Sequence, residues 1–191
     1  MAVKELLGQL HEVAECPRKQ LERYLGEGRK VIAMAPVYGP QEIVHSMGLV
    51  PMGVWGADVE INEAKKYYPA FICSVMQTIL ELGIKGEYKG VSAIIIPSLC
   101  DSLKTLGQNW KYAVADIPFI PMTYPQNRKQ DYGIKFTRAG YGRVISSLEV
   151  ATGARFSEPA LVKSNAIYNE HNRVMREFAE IASYADITAT Q

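Results

Sequence analysis

The sequence predicts an α/β fold, namely a doubly wound, mainly parallel four-stranded sheet with flanking helices and a long C-terminal helical pair. Short apolar runs alternate with amphipathic segments between residues 30 and 128, as expected when helices connect the strands of one sheet. The run VSAIIIP, residues 91–97, is rich in β-branched side chains and typical of a central strand buried on both faces. Two long amphipathic segments follow residue 128 and predict the helical pair.

The individual elements follow from apolar periodicity and from residues that start or stop helices. They group into an N-terminal helical segment (1–29), an α/β domain (30–128) and C-terminal helices (129–191). Pro118 and Pro121 place the last strand at a sheet edge, because proline has no N–H to donate to a neighbouring strand. Helices are predicted over residues 4–25, 40–48, 61–68, 71–84, 101–114, 129–153 and 158–184, strands over 31–35, 49–55, 91–97 and 117–122, and fraying over 185–191.

The composition excludes several classes of function. The 191 residues include 21 Lys and Arg against 20 Asp and Glu, so the chain has no excess charge that would attract nucleic acid. The first twenty residues lack the apolar core and cleavage site of a signal peptide, and no later segment reaches membrane-spanning length. We therefore expect a cytoplasmic protein without nucleic-acid or membrane partners. Its three cysteines are expected to be reduced thiols.

Two of these cysteines occur where a helix is predicted to start. Cys100 follows the strand that ends at Pro97, and Ser98 and Asp101 have the spacing of a capping box. Cys73 lies in the predicted first turn of the 71–84 helix. Free N–H groups and the positive end of a helix favour the thiolate, which binds metals or attacks electrophiles. Cys73 and Cys100 could therefore converge on one site.

The spacing of these cysteines also permits a purely structural interpretation. Both could be small buried hydrophobic residues, and a separation of 27 positions matches no zinc motif. Cys16 precedes Pro17 in the first helical region and is expected to be structural. The segment APVYGPQEIV is a strand–loop–helix whose N–H groups could hold a phosphate, but it lacks the glycine-rich nucleotide motifs and is a weak signal.

A longer pattern resembles a known family. The segments APVYGPQEIVHSMGLVPMGVWG, PAFICS, LCDSLK and IPFIPMTYPQ, together with AIYNEHNRVMREF near the end, resemble the 2-hydroxyacyl-CoA dehydratases, a family that includes benzoyl-CoA reductase subunits. The segments MGVWG and DIPFIP look closer to the β-type subunit. The resemblance implies that Cys73 and Cys100 are two of three cysteines that bind a 4Fe-4S cluster between two α/β domains. The third ligand and the second α/β domain are not seen in this sequence, so a partner chain, a shortened protein or a degenerate paralogue is expected.

The resemblance also implies a function for the whole enzyme. Such dehydratases are heterodimeric lyases that convert (R)-2-hydroxyacyl-CoA to enoyl-CoA after an ATP-dependent activator protein injects one electron. The expected partners are thus a second dehydratase subunit, the activator and an acyl-CoA substrate. Two alternatives stay open: a non-catalytic binding or assembly module, and one subunit of a benzoyl-CoA reductase-like enzyme. No catalytic acid or base is assigned.

Overall fold

The fold is a four-stranded parallel sheet between two layers of helices. The computed structural model describes residues 3–35 and 38–184, so the fraying predicted for 185–191 lies outside the described residues. The helices are α1 (Val3–Glu15), α2 (Pro17–Gly26), α3 (Gln41–Ser46), α4 (Ser74–Ile84), α5 (Asp101–Ala113), α6 (Asp131–Thr152) and α7 (Glu158–Tyr184). The strands are β1 (Val31–Met34), β2 (Val50–Gly53), β3 (Ala93–Pro97) and β4 (Phe119–Met122).

The sheet has the strand order β2-β1-β3-β4, and every neighbouring pair is parallel. Ile32 of β1 is aligned with Pro51 of β2 and with Ala93 of β3, and Ile94 is aligned with Phe119 of β4. The predicted sheet is confirmed, including the edge position of the proline-containing strand β4. Parallel strands direct all their carboxyl ends to one edge, where α/β proteins place their ligand sites.

Each face of the sheet has its own apolar core, because β1 and β3 are buried on both sides. On one face, Leu80 of α4 and Trp110 of α5 pack with Ile94. On the other face, Val44 of α3 and Leu148 of α6 pack with Ile95. The chain moves across the sheet in one direction from β1 to β2 and in the opposite direction from β2 to β3 and β4. Right-handed crossovers in opposite directions leave their helices on opposite faces, which accounts for the two layers.

Two predicted helices differ from the observed ones. The 4–25 helix is two helices that meet at Cys16, because Pro17 disfavours helical dihedral angles at the residue before it. The helix predicted over 61–68 is only a single 3-10 turn, Ala64–Lys66. The backbone N–H groups of Asn62 and Ala64, at the start of this turn, donate to the carboxylate of Glu81 in α4 and not to carbonyls of a continuous helix. No described helix is both long and apolar enough to cross a membrane.

Candidate functional site

Cys73 and Cys100 occupy equivalent positions in the fold. Each is the residue immediately before the first turn of a helix, Cys73 for α4 and Cys100 for α5. The carbonyl of Cys73 accepts from the N–H of Met76 at 3.0 Å, and that of Cys100 accepts from Lys104 at 3.1 Å. Both thiols are free and exposed, and no side chain caps either helix start. The two sulfurs are thus available beside free backbone N–H groups at the carboxyl edge of the sheet.

Packing between α4 and α5 brings these two helix starts together. The Sγ of Cys73 lies 3.4 Å from the Oγ of Ser102, which is in the first turn of α5 and two residues from Cys100. We call the region formed by Cys73, Cys100 and Ser102 the cysteine corner. Further along α5, the side-chain amide of Asn109 donates to the carbonyl of Tyr67 at 2.8 Å, which ties the segment before Cys73 to this helix. The interpretation of both cysteines as buried apolar residues does not describe this corner, because both side chains are exposed.

Cys16 lies at the other end of α4. It immediately precedes α2 and is half-buried. Arg18, two residues further on, donates to the carbonyl of Glu87 at 2.5 Å, and Glu87 follows the carboxyl end of α4. The 11 residues of α4 separate this end from Cys73 by about 16 Å. Cys16 is therefore not part of the corner that contains Cys73 and Cys100.

The predicted capping box at Ser98 and Asp101 is wrong. The helix begins at Asp101, so Cys100 and not Ser98 takes the capping position. The Oγ of Ser98 instead donates to the Oγ of Thr123 at 3.1 Å, and its N–H donates to the carbonyl of Met122 at 2.7 Å. Ser98 thus joins the ends of β3 and β4, and the cysteine replaces the usual capping residue.

The donor set at this corner fits part of an iron–sulfur site. Thiolates are the ligands that hold such clusters, and two thiols lie at adjacent helix starts. Among residues 3–35 and 38–184, no group of three or more His, Cys, Asp or Glu side chains could hold a metal ion. Cys73 and Cys100 therefore offer two thiols at this site, and further ligands for a cluster would have to come from outside the described residues.

Glu81 supports the segment that leads to Cys73, although sequence reasoning did not identify it. Its carboxylate is fully buried on α4 and accepts from the N–H groups of Asn62 at 3.1 Å and Ala64 at 2.8 Å. The ammonium of Lys85 lies 3.1 Å from its other oxygen. Burial alone would raise the pKa of Glu81, but the Ala64 N–H, Lys85 and the Asn62 N–H outweigh burial and hold this pKa below its ordinary value.

A cleft of about 960 Å³ opens beside Cys100, at the same edge of the sheet. Its floor is formed by the chain that follows β1, β3 and β4, including Leu99. One wall is the amino-terminal part of α6, and the other is formed by α3 and α7. The lining side chains are those of Tyr38, Pro40, Gln41, Glu42, Ser98, Leu99, Tyr124, Pro125, Gln126, Arg128, Ile134, Thr137, Arg138, Tyr141, Tyr168 and Asn172.

Hydrogen bonds fix both sides of this cleft. The hydroxyl of Tyr124 donates to the carbonyl of Tyr38 at 2.5 Å and so ties the chain after β4 to the chain after β1. On the other wall, Ser164 of α7 donates to the carbonyl of Glu42 at 2.9 Å. Because that bond uses the hydroxyl hydrogen, the Nδ1–H of His45 must donate to Ser164, also at 2.9 Å. These bonds hold α7 on α3 and place Tyr168 in the cleft.

Two tyrosines of the cleft, Tyr124 and Tyr168, have a pKa above the ordinary value of a phenol. Burial raises the pKa of Tyr124, and Tyr141 and Glu42 raise it further. Burial also raises the pKa of Tyr168, with a smaller contribution from Glu42.

The sequence did not predict this cleft, because its lining comes from five separate stretches of the chain. The phosphate interpretation of APVYGPQEIV was the one signal that pointed to it.

Comparison with known proteins gives the relatives of this chain. Over 173 residues it is 43% identical to the (R)-phenyllactyl-CoA dehydratase beta subunit of Clostridium sporogenes, covering 90% of this chain and 46% of that protein. It is 43% identical to the lactoyl-CoA dehydratase beta subunit of Anaerotignum propionicum, covering 95% of this chain and 48% of the relative. It is 30% identical to one subunit of the benzoyl-CoA reductase of Thauera aromatica, covering 78% of this chain and 39% of that subunit. The chain thus spans about half the length of the curated relatives it matches.

The family assignment rests on a match to most of the chain. Residues 36–191 match the model of the 2-hydroxyglutaryl-CoA dehydratase, D-component, family. This range contains all four of the segments PAFICS, LCDSLK, IPFIPMTYPQ and AIYNEHNRVMREF. Both cysteine-bearing helix starts and the cleft lie within it. The chain belongs to the 2-hydroxyglutaryl-CoA dehydratase D-component family.

Proposed function

We propose that this chain is the iron–sulfur subunit, or one domain of that subunit, of a radical 2-hydroxyacyl-CoA dehydratase. The observation that carries the proposal is the pair of exposed thiols, Cys73 and Cys100, at the starts of two packed helices. Such a pair suits shared ligation better than two separate structural roles, because an exposed thiol contributes little to an apolar core. Membership of the dehydratase family supports the same role.

In this proposal Cys73 and Cys100 hold a 4Fe-4S cluster as two of its protein ligands. When bound, such a cluster supplies a low-potential electron, which dehydration at a carbon next to a thioester requires. The residues of this chain would bind and orient the group. Ser102 contacts the sulfur of Cys73, and Glu81 fixes the segment before it.

The proposed partner is a second dehydratase subunit that packs over the cysteine corner. Phe71, Val75 and Leu99 expose 86%, 50% and 44% of their surface close to the two thiols. An apolar rim of this kind around two free ligands suits a protein interface that excludes water. An ATP-dependent activator would deliver the electron to the assembled enzyme.

The proposed substrate class is the CoA thioester of an (R)-2-hydroxy acid. The relatives at 43% identity are named for phenyllactyl-CoA and lactoyl-CoA, both thioesters of 2-hydroxy acids. A second candidate function is that of a subunit in an aromatic acyl-CoA reductase, which the 30% identity to a benzoyl-CoA reductase subunit favours. Both candidates need the same pair of thiols.

Anaerobic reconstitution with iron and sulfide tests this proposal. We expect the wild-type chain to take up iron and sulfide weakly, with partial filling, because two thiolates leave part of the cluster without protein ligands. Cys73→Ser and Cys100→Ser should each abolish the bound iron and its electron paramagnetic resonance signal, while Cys16→Ser should retain both. Equal iron content in all four proteins would overturn the proposal.

A further inference from the structure

We propose that Ser102 is a positioning residue that donates a hydrogen bond to the sulfur of Cys73 when that sulfur binds a metal. The inference rests on the proposed function, because it gives Ser102 a task toward the same bound group. With a cluster in place, this hydrogen bond raises the reduction potential, although Ser102 is not a ligand. The observation behind it is the distance of 3.4 Å between the Oγ of Ser102 and the Sγ of Cys73.

The direction of this hydrogen bond follows from the charge of the sulfur. In the metal-free chain either group can donate, because the thiol and the hydroxyl each carry one hydrogen. A metal-bound sulfur is a thiolate without a hydrogen, so it can only accept. Ser102 is then the donor, and a hydrogen bond to an anion is stronger than one between two neutral groups.

The position of Ser102 in α5 leaves its hydroxyl without a helical carbonyl to bond. Thr105, one turn further along, donates from its Oγ1 to the carbonyl of Asp101 at 2.8 Å, as hydroxyls inside helices commonly do. Such a bond needs a helical residue three or four positions earlier. For Ser102 these positions are Leu99 and Ser98, which precede the helix. The first-turn hydroxyl therefore bonds across to the neighbouring helix start.

The start of α5 thus serves both thiols. Cys100 precedes this helix and offers its own sulfur, while Ser102 contacts the sulfur of the cysteine that precedes α4. The contact joins two helices, so it depends on the packing of α4 against α5. Ser102 is partly buried there, whereas both thiols are exposed. Partial burial strengthens the hydrogen bond, because less water competes for the hydroxyl.

A donor at a ligand sulfur changes the energy of an electron placed on the cluster. Reduction adds negative charge, and part of that charge resides on the ligand sulfurs. A hydroxyl hydrogen directed at one of them stabilises the reduced form more than the oxidised form, and hydrogen bonds to sulfur are among the features that set cluster potentials. We therefore expect the hydroxyl of Ser102 to make the potential less negative than it would be without this donor.

Cobalt(II), added anaerobically to the whole chain in a Cys16→Ser background, tests the hydrogen bond without a cluster. We expect Ser102→Ala to move the sulfur-to-cobalt charge-transfer band to longer wavelength, because loss of a donor raises the energy of the sulfur electrons. Ser102→Thr should restore the parent wavelength. Thr105→Ala, which removes a hydroxyl that bonds to a carbonyl, is the control and should leave the band unchanged. A parent chain without the band, or a Ser102→Ala band at the parent wavelength, would overturn the proposal.

The reconstituted cluster tests the effect on the potential. In an anaerobic redox titration followed by electron paramagnetic resonance, Ser102→Ala should show a more negative potential than wild type and a similar iron content. Ser102→Thr and Thr105→Ala should keep the wild-type potential. An unchanged potential in Ser102→Ala, or a loss of iron as complete as in Cys73→Ser, would contradict the positioning role. A cobalt band that responds to Ser102→Ala in a chain that takes up no iron and sulfide would support the role of Ser102 and refute the cluster, which distinguishes the two failures.

Discussion

At the scale of single residues, Glu81 shows how a buried charge prepares the candidate site. Its carboxylate fixes the backbone at Asn62 and Ala64, which leads through the 3-10 turn to Tyr67 and then to Cys73. A buried carboxylate is costly unless it is paired and hydrogen-bonded, and this one has two N–H donors and an ammonium group. Its low pKa means that folding favours the charged form.

Glu81→Gln should lower the free energy of unfolding by about 1–3 kcal/mol at pH 7, because it removes charge-assisted hydrogen bonds. The stabilisation from a depressed carboxyl pKa is present above the ordinary value of 4.5 and is lost as the pH falls through the lower folded-state pKa. The difference between wild type and variant should thus shrink below about pH 4.5. Urea denaturation at several pH values measures it, with the exposed Glu60→Gln as control; a difference that grew on acidification would refute this role.

Residue-level prediction succeeded where a position depends on local sequence and failed where it depends on distant contacts. Cys73 and Cys100 were correctly placed at helix starts, because Pro69 and Pro97 interrupt the preceding segments. Ser98 has the local spacing of a capping box, yet its hydroxyl bonds to Thr123, which follows the neighbouring strand. Glu81 occurs in an ordinary amphipathic pattern, and only the fold of residues 62–64 makes it buried.

At the scale of elements, the sequence predicted the strands, but it predicted one N-terminal helix where the structure has two, α1 and α2. A short apolar run rich in isoleucine and ending in proline identifies β3, because buried strands have about four to eight residues and favour β-branched side chains, whereas helices are longer. The break between α1 and α2 was missed because the apolar periodicity continues across it. Pro17 carried the signal for the break, since the residue before proline avoids helical angles.

The contact between α4 and α5 depends on Gly83. A Cβ built there would lie 2.9 Å from the indole of Trp110 and 2.9 Å from Val114. At Gly142 of α6, in contrast, nothing lies within 4 Å of a built Cβ. Cys73 and Cys100 directly precede α4 and α5, so the packing of these two helices sets the separation of the two helix starts.

Gly83→Ala should therefore destabilise the protein, because overpacking against a rigid ring costs about 1–3 kcal/mol and exceeds the gain in helix propensity of about 1 kcal/mol. Gly142→Ala should stabilise it by up to about 1 kcal/mol, since only the propensity changes. Thermal denaturation of the two variants measures both effects. If the two alanine variants shifted the melting temperature in the same direction, the close packing of α4 on Trp110 would be contradicted.

At the scale of the whole molecule, the two thiols and the cleft both lie at the edge of the sheet where the carboxyl ends of the strands meet. The thiols at the starts of α4 and α5 lie toward one face, and the cleft of α3, α6 and α7 lies toward the other. Leu99, the residue before Cys100, lines the cleft. Strand order and the reversal after β2 produce this arrangement. Sequence patterns predicted the sheet and the position of Cys73 and Cys100 at helix starts. They did not predict the cleft, which depends on how the long helices pack.

The proposed cluster site requires that Cys73 and Cys100 face one common opening. The most direct test is reaction of the folded Cys16→Ser chain with dibromobimane, which becomes fluorescent when it bridges two nearby thiols. We predict one bimane per chain, fluorescence, and loss of both free thiols by intact-mass analysis, with no fluorescence after Cys73→Ser or Cys100→Ser is added. Two separate single-thiol adducts without fluorescence, while the chain remains folded, would show that the thiols do not converge and would contradict a shared site.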